Sequence, residues 1–439
     1  MAVISRTRVR LWWERAFWVI PTVGVLAGIA LSEFVSQVDD ELMRGGYVPQ
    51  LVSASSTAQL LSAIGGGMIT FTGFVFSFVV LLLQFGSSQY SPRTVSYFLR
   101  ARATRVILAI FLGTVTFTFV SLLDVGSLGR PDYAPAVTVI LAVMLLFTSL
   151  AAFIWLLHSV GSRMRVDAVL SDLGRRARGQ LAVLVGSRAS VSAADDEAPS
   201  GALIVRSAGS GQVIAVDQSG LVRLAARRGL RIWVARQVGD AITPGAPLLR
   251  VVAPKGLELS SALQARLRRA VVIDSERSLR YDPFYALRLL VDIAIKALSP
   301  GINDPTTAVR ALDEIEGVLR VAAGLPLGAR QAVRGEGRVV VPAPSWADVV
   351  ALGLLEIMVF GAGQPQITRR VTALIDDLVA DVGEELHPPL EQMRAELVSL
   401  LGAESFDSEL RRIAIAPDRQ GLGGRLGPVP ASSAPVAES

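Results

Sequence analysis

Residues 61–85 carry no charged side chain, and this uncharged run is the feature that most constrains how the chain folds. A helix of about 20 apolar residues is long enough to cross the hydrocarbon core of a bilayer. Three further, mostly apolar runs of similar length occupy residues 16–36, 106–126 and 136–158. The sequence therefore predicts an α-helical membrane domain with four transmembrane helices within residues 1–160.

The composition supports a membrane protein and argues against several classes of enzyme. Hydrophobic residues make up 51% of the chain and charged residues 18%, whereas about 25% of residues are charged in soluble proteins. Cysteine is absent, and His158 and His387 are far apart in the sequence, which argues against a zinc site. The sequence also lacks the common phosphate-binding, zinc-protease and serine-hydrolase motifs. We predict no metal, no cofactor and no enzymatic activity.

Small and polar residues follow one side of the second predicted span, and bulky residues follow the opposite side. The small and polar residues recur at helical spacing, and they are Gly66, Thr70, Gly73, Ser77 and Gln84. In one interpretation this side faces a water-filled axis between several copies of the chain. In the other it packs against a neighbouring helix, because small residues allow helices to approach closely in lipid.

The first and third predicted spans carry related signals. Gly24 and Gly28 form a G-x-x-x-G motif, which favours helix packing either within one subunit or between two copies. Thr114, Thr118 and Ser121 line one face of the third span. These patterns predict contacts between helices but do not identify the partner of each helix.

The distribution of Lys and Arg around the spans predicts their orientation. Four arginines precede the first span, four lie within residues 86–105 and five within residues 159–178, whereas the two loops on the other side carry one each. We therefore predict a multi-pass protein of the bacterial inner membrane, with its N- and C-termini in the cytoplasm.

A basic segment follows the second span. Ser91 and Pro92 have the pattern of a helix start, and Arg93 and Arg100 surround a short apolar face. Such a segment either lies in the interface between membrane and water or continues directly into the third span. The four residues form a candidate membrane-interface elbow.

The rest of the chain predicts a cytoplasmic α+β domain. Residues 161–200 predict a helix and a flexible linker, and residues 201–254 predict short strands separated by glycine-rich turns. The strand spacing resembles barrel-sandwich modules of the biotinyl and lipoyl type, but residues 201–254 contain no lysine that could act as a carrier. Residues 255–416 predict a helical bundle and residues 417–439 a disordered tail.

One group of polar residues in the predicted helical bundle is a candidate site. Its members flank a Ser-Pro-Gly turn and are Asp282, Arg288, Asp292, Asn303 and Asp304. Carboxylate and amide oxygens suit a hard cation such as Mg²⁺ or Ca²⁺. Alternatively, Asn303 or Asp304 caps a helix that begins at Pro305, and Arg288 and Asp292 form a surface charge ladder.

Three stretches together resemble a bacterial family of integral membrane proteins known as domain of unknown function 2254. They are SSQYSPR (Ser87–Arg93), the strand-rich segment 201–254 and ALSPGINDPTTA (Ala297–Ala308). The resemblance covers most of residues 10–380. It implies several membrane spans and a cytoplasmic domain, and it implies no particular activity or substrate.

Two functions are consistent with these features. The first is an oligomeric pore for ions or small solutes that carries a cytoplasmic regulatory domain. The second is a non-conducting scaffold or envelope-associated regulator that binds an unidentified partner through its cytoplasmic domain. We expect the lipid bilayer and further copies of this chain as partners. We expect no nucleic acid, because the basic segments lack interleaved aromatic residues.

Overall fold

The computed structural model describes residues 18–44, 53–89, 102–125, 135–163, 165–185, 190–191, 198–279, 281–328, 330–334, 337–404 and 406–421. The described residues divide into two compact units, a membrane unit within residues 9–165 and a second unit within residues 166–421.

Four long helices make up the described part of the membrane unit. They are α1 (Val19–Arg44), α2 (Ala54–Gln89), α3 (Arg102–Asp124) and α4 (Ala136–Arg163). Each contains a stretch long and apolar enough to cross a membrane, at Val19–Leu42, Ala54–Leu81, Thr104–Asp124 and Ala136–Ser159. The four predicted spans are therefore present as candidate spans.

The first loop of this unit is shorter than the sequence suggests. Residues 38–60 have a polar, loop-like composition, yet α1 continues to Arg44 and α2 begins at Ala54. The Ser53 hydroxyl accepts a hydrogen bond from the Ser56 backbone N–H at 3.2 Å. This bond satisfies one of the unpaired N–H groups of the first turn, so α2 starts before its apolar run does.

Helices α1 and α3 approach so closely that their backbones touch. A Cβ atom added at Gly28 would lie 2.5 Å from the Gly113 carbonyl oxygen, and one added at Gly24 would overlap the Ala109 backbone. The G-x-x-x-G motif of α1 therefore packs within the subunit, against Ala109 and Gly113 of α3. Only glycine permits this spacing, because any side chain would collide with a backbone that cannot move aside.

Two pairs of hydroxyl groups join different helices inside the bundle. The Ser32 and Ser121 hydroxyls lie 2.8 Å apart, and the Thr114 and Ser149 hydroxyls 3.1 Å apart. Thr118 is fully buried. The hydroxyl face of α3 thus points into the bundle, where pairing compensates for the loss of water.

The second unit combines nine short strands with nine α-helices among its described residues. Its helices are α5 (Val166–Val185), α6 (Gln218–Arg228), α7 (Ser261–Arg269), α8 (Pro283–Ala297), α9 (Pro305–Ala323), α10 (Trp346–Gly361), α11 (Pro365–Asp381), α12 (His387–Ala403) and α13 (Ser408–Ala414). Its strands are β1 (Ser190–Val191), β2 (Leu203–Arg206), β3 (Gly211–Val216), β4 (Arg231–Val234), β5 (Ala241–Ile242), β6 (Pro247–Val252), β7 (Val271–Asp274), β8 (Arg330–Arg334) and β9 (Gly337–Val341).

The strands form two sheets, with the orders β1-β8-β9-β4-β6-β2 and β5-β3-β7. One face of the larger sheet packs on α6 and α7 through a buried cluster that includes Ile232, Leu249, Val251, Leu221 and Leu267. The four strands predicted within 201–254 are present, but they are divided between the sheets and joined by β7, β8 and β9 from later in the chain. The barrel-sandwich resemblance is therefore not confirmed.

Helix α6 occupies a stretch that the sequence suggests is only a turn between strands. The Asp217 side chain accepts a hydrogen bond from the Gly220 N–H, and Gly229 ends the helix in the left-handed conformation at φ 61°. Leu221, Leu224 and Ala225 are buried against the sheet. The helix forms because both ends are capped and its apolar side has a surface to cover.

The C-terminal segment lies against α11. The Asp418 carboxylate is 3.7 Å from the Arg369 guanidinium, with both side chains buried, and Arg419 forms a forked contact with Asp377. Part of the predicted tail, up to Gly421, thus has defined contacts. Residues 422–439, the candidate elbow at residues 91–100 and most of the predicted linker lie outside the described residues.

Candidate functional site

The small and polar side of α2 faces away from its own bundle. All five of its members, Gly66, Thr70, Gly73, Ser77 and Gln84, are exposed. The buried side of α2 is formed instead by Leu61, Ile64, Met68 and Val75. We call the five exposed residues the α2 stripe.

Within the part of the chain that the structure describes, no other helix packs against the two glycines of the stripe. A Cβ atom added at Gly66 or Gly73 would meet no atom within 4 Å. By contrast, one added at Gly65, on the inner side of α2, would lie 3.1 Å from the Thr118 hydroxyl oxygen. Packing within one subunit therefore does not explain why small residues occur along the stripe.

The hydroxyl groups of the stripe donate to their own helix. Thr70 donates to the Gly66 carbonyl oxygen at 3.3 Å, and Ser77 to that of Gly73 at 3.0 Å. These bonds satisfy the hydroxyls without a partner helix. The exposed Gln84 amide has a different requirement, because hydrocarbon offers it neither donor nor acceptor.

The predicted polar group of the second unit is divided among separate structural roles. Asp282 is buried and caps α8, accepting a hydrogen bond from the Tyr285 N–H at 3.1 Å. Burial raises the pKa of Asp282 to about 6, while the nearby Arg277 guanidinium, at 3.8 Å, acts in the opposite direction. The N-terminus of α8 favours the charged form of this carboxylate, whereas the poor solvation of the buried group favours its neutral form.

Arg288 connects two helices. Its guanidinium donates to Asp292 at 2.7 Å within α8 and to both carboxylate oxygens of Glu356 on α10, at 2.5 and 2.8 Å. The hydrogen bond to Glu356 is the main cause that raises the pKa of Arg288. The pair seen in the sequence is thus part of a three-residue bridge, and Glu356 was not predicted because it lies 68 residues away.

Asn303 and Asp304 shape the turn between α8 and α9. Asp304 caps α9, accepting from the Thr307 N–H at 3.1 Å and from its hydroxyl at 2.6 Å. Asn303 adopts a positive φ of 49°, and its amide oxygen accepts from the Gln364 side chain at 3.1 Å. The capping role proposed for this motif therefore has a direct structural basis.

The described residues contain no group of three or more His, Asp or Glu side chains placed to hold a metal ion. Both oxygens of Asp304 are already used as acceptors, and Asp292 is bound by Arg288. Within the part of the chain that the structure describes, the polar group acts through helix caps and one ion-paired bridge.

Asp39 is a structural residue that the sequence assigns only to a polar loop. Its buried carboxylate accepts from the backbone N–H groups of Val137 and Thr138, both at 2.9 Å, and from the Thr138 hydroxyl at 2.8 Å. One side chain of α1 thus caps the N-terminus of α4. The sequence does not indicate this contact, because Asp39 and Val137 are 98 residues apart.

Comparison with known proteins identifies similar chains but no activity. A family model described as "Predicted membrane protein (DUF2254)" matches residues 14–377. An uncharacterized protein of Mycobacterium tuberculosis and one of Mycobacterium bovis are each 29% identical over 415 residues, which is 92% of this chain and 79% of those proteins. No solved structure matches the chain.

Proposed function

Because the chain belongs to the DUF2254 family of predicted membrane proteins, we propose that it assembles as a homo-oligomer whose α2 stripes surround a shared axis. The observation that carries this proposal is the exposure of all five stripe residues on the side of α2 opposite its own bundle. A second copy of the chain offers the same surface, and closed rings of identical subunits arise from repeated contacts of this kind.

The axis is wet in the function that we favour, an oligomeric pore for ions or small solutes. Water at the axis hydrates the Gln84 amide, which hydrocarbon would leave unpaired. Val80 and Leu81 are exposed between Ser77 and Gln84, and apolar side chains at such a position form a constriction that closes by losing water. The unit at residues 166–421 then acts as the regulatory part.

Current through planar bilayers containing the purified full chain tests this function. We expect conductance in the wild type, altered conductance in Gln84→Ala and loss of conductance in Gly73→Leu. Ala151→Leu is the matched control, because Ala151 is also exposed but lies on α4. A wild-type oligomer that passes no current under voltage or tension contradicts the pore.

A non-conducting scaffold is the second candidate. The observation in its favour is that Thr70 and Ser77 already donate to their own helix, so the stripe is suited to a dry contact between copies as well. In that case the second unit binds a partner and the spans hold it at the membrane. A stable oligomer whose mass is unchanged by Gln84→Ala, with no current, supports this candidate.

We also propose the location predicted from the basic segments, the bacterial inner membrane with both termini in the cytoplasm. The proposal is supported by the excess of arginines at the N-terminus and at residues 86–105 and 159–178. Since the chain has no cysteine, Ser219→Cys gives a single reporter in the second unit. An impermeant maleimide should label it only in lysed cells, and labelling in cells with an intact inner membrane contradicts this topology.

A further inference from the structure

Charge is unevenly distributed within the second unit. Residues 198–279, which contain β2–β7, carry twelve Arg or Lys against five Asp or Glu. Residues 281–421 carry thirteen against twenty, and many of these acidic groups form ion pairs there, among them Asp313, Glu316 and Asp377. The positive charge of residues 198–279 is therefore not balanced by acidic residues within the same segment.

Three arginines of this unit share one face of the larger sheet. The register pairs Arg231 with Arg338, and Arg250 with both Trp233 and Ile204. Paired residues point to the same side of a sheet, so these five side chains form one surface, which we call the outer face. The opposite side of the same strands is buried against α6 and α7.

The outer face is basic and partly accessible. Trp233 and its pair Val340 are buried on this face, with Ala198 packed against them, whereas other side chains of the face reach the surface. Arg231, Arg250 and Ile204 are exposed, and none of the paired positions described on this face is acidic. Arg231 lies over the Trp233 ring at 5.2 Å, and within the described residues neither Arg231 nor Arg250 forms an ion pair.

We propose that the outer face is a docking surface for anionic lipid headgroups. The occupant follows from the chain itself. The second unit begins at Val166, directly after the membrane unit ends at Arg165, so a bilayer surface is always present at high effective concentration. Basic side chains near a membrane are attracted by its negative surface potential, and the exposed Ile204 adds an apolar contact at the sheet edge.

The same surface is less suited to a nucleic acid. Single strands are held by aromatic side chains on which bases stack, in addition to basic groups. Trp233 is the only aromatic residue between 198 and 279, and it is 3% exposed, so it presents no stacking surface. Lipid phosphates need only the arginines.

The test uses single-cysteine variants of the full chain, which is naturally free of cysteine. Ile204→Cys reports from the outer face, and Ser219→Cys on α6 is the control on the opposite side of the sheet. Each carries a fluorophore in nanodiscs of phosphatidylcholine alone or mixed with phosphatidylglycerol, with a nitroxide on the lipid headgroups as quencher. We expect severalfold stronger quenching at position 204 in the anionic nanodiscs, and equal quenching in both at position 219.

Charge variants then identify the groups responsible. Arg231→Glu with Arg250→Glu should abolish the lipid-dependent quenching, and Arg310→Glu with Arg412→Glu should leave it intact, since those exposed arginines lie on α9 and α13. High salt should weaken the quenching because it screens exposed charges. Thermal unfolding of each variant establishes that the substitutions leave the fold intact.

Three outcomes overturn the proposal. The first is equal quenching at position 204 in both kinds of nanodisc, or quenching that survives the double reversal. The second is that the quenching at 204 becomes lipid-dependent only after neutralisation of the acidic residues Asp195, Asp196 and Glu197, which precede Ala198 in the sequence; the chain would then occupy this face itself. The third is binding of a labelled oligonucleotide that the double reversal abolishes while the quenching is unchanged. None of these results depends on whether the protein conducts.

Discussion

Two helices of the membrane unit carry similar lines of small and hydroxyl residues, but the lines have different surroundings. On α3, Thr114, Thr118 and Ser121 are buried and face the other helices. On α2, the stripe that contains Thr70 and Ser77 is exposed. Such a line therefore predicts a contact without indicating whether the partner belongs to the same chain. The stripe of α2 therefore remains available for another copy or for water.

The largest expected effect comes from Gly28→Leu, which tests the contact between α1 and α3. A side chain at this position collides with the Gly113 carbonyl oxygen, 2.5 Å from the added Cβ. We expect the free energy of unfolding to fall by about 3 kcal/mol, measured by thermal unfolding in detergent. Ala30→Leu, at an exposed position of the same helix, should be nearly neutral, and an equal loss in both would break the comparison.

Asp282 is a buried polar group outside the candidate spans. Its pKa is raised from 3.8 to about 6, so the stability that this group contributes is fully present below pH 3.8 and is lost as the pH rises through about 6. The full difference corresponds to about 2–3 kcal/mol. Unfolding midpoints across this range should depend less on pH in Asp282→Asn, which retains the helix cap. An unchanged pH dependence would show that another group titrates.

Asp39→Ala removes a buried polar contact between helices. The substitution leaves the Val137 and Thr138 N–H groups without their acceptor. Loss of a buried cap costs about 2 kcal/mol, detectable as a lower unfolding midpoint in detergent. Glu33→Ala is the control, because Glu33 is an exposed acid on the same helix. Equal decreases in the unfolding midpoint of the two variants would mean that the hydrogen bonds of the Asp39 carboxylate do not stabilise the bundle.

A smaller effect is expected for the hydroxyl pair formed by Ser32 and Ser121. A double-mutant cycle with both serines changed to alanine should give a coupling free energy of about 0.6 kcal/mol, typical of hydrogen bonds between membrane helices. The matched cycle on Ser32 and Ser77 should give none, since Ser77 donates to its own helix. Coupling in the second cycle would place the α2 stripe inside the bundle.

The smallest effect on subunit stability is expected from Gly66→Leu and Gly73→Leu. Because an added Cβ meets nothing within 4 Å at either site and Leu has a higher helix propensity than Gly, the unfolding free energy should not fall. The mass of the proposed homo-oligomer, measured by native mass spectrometry, should nevertheless fall. If a variant kept both its stability and its oligomer mass, the α2 stripe would not lie in a contact between copies.

The spans were predictable because hydropathy and length are local properties of the sequence. The same is true of the helix caps: Ser345 and Asp348 form the reciprocal capping pair that their spacing predicts, and Asp304 caps α9. These features need only neighbouring residues. The family was recognised on similar grounds, from short motifs such as the turn around Asn303.

Features that depend on distant residues could not be predicted. The larger sheet pairs Arg231 on β4 with Arg338 on β9, and no local pattern indicates that partner. Helix α6 was missed because its buried leucines are surrounded by arginines, and only the sheet beneath gives them a surface to cover. The outward direction of the α2 stripe could not be predicted either, since periodicity places residues on one side of a helix without identifying the neighbour of that side.

The glycine contacts between α1 and α3 also limit how the membrane unit can change shape. Two helices whose backbones touch at Gly24 and Gly28 cannot slide or tilt past each other without losing the whole interface. Any change of shape that preserves this interface moves α1 and α3 as one rigid body. The displacement must then come from α2 and α4, whose exposed surfaces are not locked in this way.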